Sequence, residues 1–294
     1  MKFGTLYSYW GNEWSCDYFA TARKVRELGF DILEIGAGHL LDMSGKEIDD
    51  LKSLCKDIGL VITSNIGPAK NKDVASPDPA VRRAGIEFLT DIMKAMKRLG
   101  SDKLVGVQYT YWPNDFTDLD KPAIWARGVE SVKKMAPVAE DCGVEMCLEV
   151  VNRFETHILN TGAEAAAFCA EVGHKSVKIL LDTFHMNIEE DNIPRAFREA
   201  GSLLGHIHVG EGNRKLPGEG SLPWAEIGQA LRDIHFTGGV VMEPFYYDGG
   251  QVGKDIKVWR DLSDGATREE MDRKIARSLK FLREQFLAKD PVHG

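Results

Sequence analysis

The chain has 294 residues, 43% of them hydrophobic and 28% charged, and a formal net charge of -8. That balance describes a globular protein, excludes a disordered one and leaves no basic footprint for a nucleic acid. No apolar run approaches the ~20 residues of a membrane span, and Ser8, Tyr9 and Asn12 interrupt the N-terminus too early for a secretory leader. Five cysteines without a C-x-x-C pair read as reduced, mostly buried thiols and point to a cytoplasmic protein with no membrane partner.

In chain order, short β-like runs alternate with helical ones. Residues 3–7 read as the first strand and 17–28 as its helix, stopped by Gly29. The second pair is 32–35 and 45–58, then Gly59; the third is 61–64 and 78–99, then Gly100. The fourth is 103–107 and 125–142, then Gly143. The fifth strand is 144–151; its helix follows Thr161, a natural N-cap, and stops at Gly173. Strand 177–182 precedes a helix that starts near Asn192-Ile193-Pro194 and ends before Gly201. Strand 204–209 precedes a helix from Pro223 and Trp224, and strand 239–243 a helix from 267 to about 287. Glycine after each of the first five helices supplies the left-handed residue that ends a helix without strain. Eight alternating units in this length predict a parallel sheet closed into one (β/α)₈ TIM barrel over residues 1–294, the last few residues forming a flexible tail.

Such barrels carry their sites at the C-terminal ends of the strands. Strands five to eight each end on a metal-ligand side chain: Glu149, Asp182, a histidine (His206 and His208 share one face) and Glu243. Taken singly, each has a plainer explanation. Glu149 would pair with Arg153, Asp182 would cap the next turn, and one histidine would be a hydrogen-bonded core residue. Four on consecutive strand ends argue for a site. Two Glu, one Asp and one His make a hard, oxygen-rich set suited to Mn²⁺, Mg²⁺ or Co²⁺.

Other polar residues follow the strand ends: Arg153 and Glu155, His185, then Glu211 and Arg214. Arg214 suits either a developing oxyanion or a surface salt bridge. Aromatics gather at Tyr7, Tyr9, Trp10 and Trp14, at Tyr109, Tyr111 and Trp112, and at Phe245, Tyr246 and Tyr247. Sugar faces and subunit contacts both use such residues, and both roles are expected. Gly36-Ala37-Gly38-His39-Leu40-Leu41 lacks the third glycine of a dinucleotide fingerprint. Gly249-Gly250-Gln251-Val252-Gly253 reads as a flexible loop rather than a phosphate cradle.

These motifs resemble the D-tagatose 3-epimerase family, and within it the D-psicose (D-allulose) 3-epimerases. The resemblance rests on Tyr7-Ser8-Tyr9-Trp10, on Leu28-Gly29-Phe30-Asp31-Ile32-Leu33-Glu34 and on Glu149-Val150-Val151-Asn152-Arg153-Phe154-Glu155. The most specific stretch is Asp182-Thr183-Phe184-His185-Met186-Asn187-Ile188-Glu189-Glu190-Asp191. Trp224 to Ile227, Met242-Glu243-Pro244-Phe245 and Ile256-Lys257-Val258-Trp259-Arg260-Asp261 complete a match over almost the whole chain. It implies that Glu149, Asp182, His208 and Glu243 hold one Mn²⁺ or Co²⁺ per subunit, with Glu149 and Glu243 also the acid/base pair. It further implies that Glu155, His185 and Arg214 hold the O1–O3 end of a ketose, that Trp14 and Trp112 wall the pocket, and that the chain forms a homodimer or homotetramer. Leu6 stands where relatives usually place an aromatic, and Val107 where many have alanine; both would touch the sugar.

The implied reaction is C3 epimerisation of free ketohexoses, D-fructose and D-psicose or D-tagatose and D-sorbose, through a cis-enediolate. Inverting C3 requires a proton on the opposite face, which two carboxylates flanking the sugar provide. Strands five and eight are expected to stand neighbours but one around the ring, so that the two glutamates approach from different sides. An aldose–ketose isomerase of the same barrel type is the alternative. A phosphodiesterase or endonuclease of this fold would need a His-rich multinuclear site and a basic groove, and a sugar-binding protein would not need two opposed glutamates.

Overall fold

In the computed structural model, which describes residues 1–287, β1 (Lys2–Leu6) pairs with both β2 (Ile32–Gly36) and β8 (Gly239–Met242), so the sheet closes on itself. Between β2 and β8 run β3 (Val61–Asn65), β4 (Lys103–Gly106), β5 (Glu145–Val150), β6 (Val177–Asp182) and β7 (Leu204–Val209), each parallel to its neighbours. The expected (β/α)₈ barrel is the observed architecture. The expected C-terminal tail lies outside the described residues. β5 and β8 are not neighbours but one: β6 and β7 separate them on one side of the ring.

The helices are α1 (Tyr18–Glu27), α2 (Gly45–Ile58), α3 (Pro79–Leu99), α4 (Lys121–Cys142), α5 (Gly162–Val172), α6 (Thr183–Glu189), α7 (Ile193–Ala200), α8 (Trp224–Asp233), α9 (Gly250–Ile256) and α10 (Arg268–Phe286). Their ends follow from local chemistry. Ser44, Thr161 and Thr267 form reciprocal capping boxes with Glu47, Glu164 and Glu270. α4 starts earlier than the expected residue 125 because Asp120 accepts from the Ala123 amide and a proline fits the first turn. Two helices were not anticipated. α6 begins directly after β6 because Asp182 itself caps it, accepting from the Phe184 amide at 2.9 Å. α9 replaces the flexible loop expected at 249–253: the Val252 amide donates to the Asn12 carbonyl, and a Cβ at Gly250 would lie 2.0 Å from that oxygen. None of the described helices is long and apolar enough to cross a membrane.

Side chains alternate along a strand, so residues two apart share a side. Val105, Cys147 and Leu180 form a buried apolar cluster apart from the main core. Two residues further on stand Val107, just past the end of β4, and Glu149 and Asp182 on β5 and β6. The barrel interior is therefore apolar below and ionisable at its C-terminal end. Asp182 and His208 are register partners across β6 and β7, which sets them side by side.

Candidate active site

Glu149, Asp182, His208 and Glu243 each offer a ligand atom, and these atoms lie within 4.8 Å of one another. His208 Nδ1 is 3.4 Å from Glu149 Oε1 and 3.6 Å from Glu243 Oε2, yet it is buried without a hydrogen-bond partner. Burial alone would lower the His208 pKa; Glu34, Glu243 and Glu149 hold it well above the ordinary imidazole range. Burial pushes the Glu149 carboxyl up; His208 pulls against that and Glu243 adds to it. Burial also opposes ionisation of Asp182, but Arg214, His185 and His208 keep it below the ordinary carboxylate range. Three carboxylates facing one unpartnered imidazole nitrogen make a field that a hard divalent ion fits.

The two histidines present opposite faces. The Asn152 backbone amide, which can only donate, lies 3.1 Å from His185 Nδ1, so that nitrogen accepts. A neutral His185 then carries its proton on Nε2, 3.5 Å from Asp182 Oδ2 and 3.9 Å from Glu149 Oε1. His208 is reversed: its Nε2 meets the Glu34 carboxylate at 2.7 Å and its Nδ1 faces the cluster. His185 thus turns Nε2 to the site and His208 turns Nδ1 to it.

A cavity of about 440 Å³ opens at this end of the barrel, lined by Leu6, Trp14, Val107, Trp112, Glu149, Glu155, His185 and Arg214. Asp182 and His208 are fully buried. Glu155 is held by Trp112 Nε1 at 2.9 Å and Asn152 Nδ2 at 3.1 Å. Trp14 donates to Asp255 on α9 at 2.9 Å and meets Trp112 and Phe245 edge-on. Not every loop aromatic serves the cavity. Tyr9 packs on Trp10 and Tyr246 and donates to the Met271 carbonyl, tying the first loop to α10. Arg153 forks onto Glu189 of α6 at 2.8–2.9 Å rather than pairing with Glu149.

Residues 22–285 match the family described as xylose isomerase-like TIM barrel. The D-psicose 3-epimerase of Ruminiclostridium cellulolyticum is 50% identical over 96% of this chain and 97% of its own length. That of Agrobacterium fabrum is 49% identical over 96% and 98%. A crystal structure of a D-psicose 3-epimerase in the presence of D-fructose matches with a TM-score of 0.96 and 48% identity, covering 97% of this chain and 99% of that one. The chain belongs to the ketose 3-epimerases of this family.

In this member, the arginine expected either at an oxyanion or on the surface is buried at the cluster. Arg214 donates from Nη1 to Asp182 Oδ2 at 2.6 Å and from Nη2 to Glu243 Oε2 at 3.1 Å. Its guanidinium lies 4.1 Å from the Phe184 ring centroid and 5.1 Å from that of Phe245. The backbone there is left-handed, φ 66°, an unusual state for arginine that its surroundings must enforce. The Arg214 amide donates to the Glu211 carbonyl and its own carbonyl accepts from the Phe245 amide. Glu211, fully buried, accepts from the Gly218 amide at 2.7 Å, the Leu222 amide at 3.2 Å and Trp224 Nε1 at 2.7 Å, closing the loop that carries Arg214. Glu211→Gln keeps the shape but weakens three charge-assisted bonds. It is expected to cost about 1–3 kcal/mol of stability and to raise the substrate KM. Melting curves and initial rates check this; an unchanged melting temperature removes the anchoring role.

Sequence reasoning passed over Glu34, Asn152 and Asp255. Glu34 stands near the end of β2 as the ligand-type residues stand on theirs, which was the available signal. Asp255 had none, because it sits on the unforeseen α9.

Proposed function

We propose that this cavity inverts C3 of free ketohexoses, interconverting D-fructose and D-psicose, with D-tagatose and D-sorbose as a further pair. The observation that carries the reading is the approach of Glu149 from β5 and Glu243 from the end of β8 to the same imidazole nitrogen. The relatives named above are epimerases of this type at about half identity over nearly full length. Mn²⁺ or Co²⁺ is the proposed occupant of the Glu149, Asp182, His208 and Glu243 cluster, one ion per subunit. When bound, it supplies Lewis acidity to the C2 carbonyl, which acidifies the C3 proton.

The chain's own residues do the rest. One of Glu149 and Glu243 removes the C3 proton, leaving a cis-enediolate, and the other delivers a proton to the opposite face. In the reverse direction the roles exchange. Holding the reacting carbon beside both carboxylates replaces intrinsic basicity with proximity. The His185 Nε2–H, the Arg214 fork and Glu155 take the O1–O3 end, with Glu155 aimed by Trp112 and Asn152. Trp14 and Trp112 cover the C–H faces of the sugar. Leu6 and Val107 line the same cavity and tune which ketose fits. The subunits assemble as a homodimer or homotetramer in the cytoplasm, as the family resemblance implies.

D-Fructose turned over in D₂O is the test. Product D-psicose is expected to carry deuterium at C3 and none at C1, because a carboxylate exchanges its proton with solvent between transfers. Deuterium at C1, or an aldose as the main product, assigns the site to aldose–ketose isomerisation instead.

A further inference from the structure

Glu34 is fully buried and 174 residues from His208 in the chain, yet the two meet at hydrogen-bond distance. Its Oε1 lies 2.7 Å from His208 Nε2 and 3.4 Å from Asn65 Nδ2. Its Oε2 accepts from Thr63 Oγ1 at 2.8 Å and lies 3.0 Å from His206 Nε2. Burying a carboxylate is costly unless hydrogen bonds compensate it, and here donors surround both oxygens. His206 is wedged in place: a Cβ at Gly239 would come within 2.7 Å of its Cε1.

We propose that Glu34 is a positioning residue that sets His208 as a metal ligand through Nδ1, an inference that rests on the cation reading of the cluster above. A carboxylate only accepts, so the imidazole nitrogen beside Glu34 must be the N–H. That leaves Nδ1 free to face Glu149 and Glu243. Without Glu34 the ring loses the anchor that turns Nδ1 toward those two carboxylates. A hydrogen-bonded carboxylate behind a ligating histidine both orients the ring and strengthens its lone pair. Glu34, His206 and His208 also come within 4.8 Å of one another, as a second cation site would. The contact between His208 Nε2 and Glu34 is already a hydrogen bond, and none of the three residues lines the cavity, so the trio buttresses the ligand cluster.

The test is Mn²⁺ titration of chelator-stripped full-length protein by calorimetry, wild type against Glu34→Gln. The expected result is a 10–100-fold weaker Mn²⁺ affinity in the variant. At saturating Mn²⁺ its ketose KM is expected to stay at the wild-type value, a split that general structural damage would not produce. Wild-type affinity in Glu34→Gln overturns the positioning role while leaving the proposed function standing. A wild type that binds no Mn²⁺ removes the cation reading itself. Should Glu34→Gln fail to fold, Thr63→Val, which removes one donor to Glu34 without touching His208, is expected to weaken Mn²⁺ in the same direction by a smaller factor. No change in that variant then overturns the proposal.

Discussion

Glu149→Gln and Glu243→Gln are each expected to lower kcat on the order of 10²–10⁴-fold, the usual contribution of a positioned acid or base. Each substitution keeps the shape and removes both a proton carrier and one negative charge facing His208 Nδ1. The two losses separate by exchange with solvent. If one carboxylate serves each face of C3, each variant still washes deuterium out of C3 of one epimer and no longer out of the other. The two variants are then mirror images. Loss of the cation alone would silence both epimers equally in both variants. Near-normal kcat in Glu243→Gln with metal bound would show that a single base suffices and that the two-carboxylate scheme is wrong. Metal content measured on each purified variant completes the experiment.

The barrel was readable because each unit carries its own local signals. Ser44 and Thr161 open helices with reciprocal caps, and Gly59, Gly100, Gly143 and Gly173 close them with positive φ, all within a few residues of sequence. The four clustered side chains were readable for a related reason. In a closed parallel barrel the C-terminal strand ends share one rim, so a ligand-type residue at each of four ends needs no further information to converge. What could not be read depends on contacts distant in the chain. Glu34 looked like one polar residue within Ile32-Leu33-Glu34-Ile35, and only the ring closure that brings β2 near β7 reveals His208 as its partner. Arg214 could face solvent or site by spacing alone; the left-handed turn at 214 and the buried Glu211 decide it. α9 was missed because its glycines signal a loop, and its helix depends on Asn12, far away in sequence. The error about β5 and β8 was one of counting around the ring, and the separation observed still lets their glutamates reach one imidazole from different strands.

Exhaustive chelation is expected to abolish turnover, and Mn²⁺ or Co²⁺ to restore it better than Zn²⁺. The donor set is the reason. Glu149, Asp182, His208 and Glu243 supply carboxylate oxygens and one imidazole, with no thiolate, although Cys147 lies fully buried two residues before Glu149. Zn²⁺ is commonly satisfied by four protein ligands in a closed tetrahedron, which would leave no open position for a sugar. Mn²⁺ favours oxygen-rich, higher coordination and keeps positions open beside the same four residues. The same binding should be visible without a substrate. An ion held by the folded protein at 100 times its Kd stabilises it by about 2.7 kcal/mol, which for a chain of this size raises the melting temperature by about 4 °C. The rise should be absent in Asp182→Asn, because Asp182 accepts from Arg214 and from the Phe184 amide and has its full charge at the cluster. Full activity in metal-free protein, with no thermal response to Mn²⁺, would overturn the cation reading. The three buried carboxylates would then be balanced by Arg214 and His208 alone.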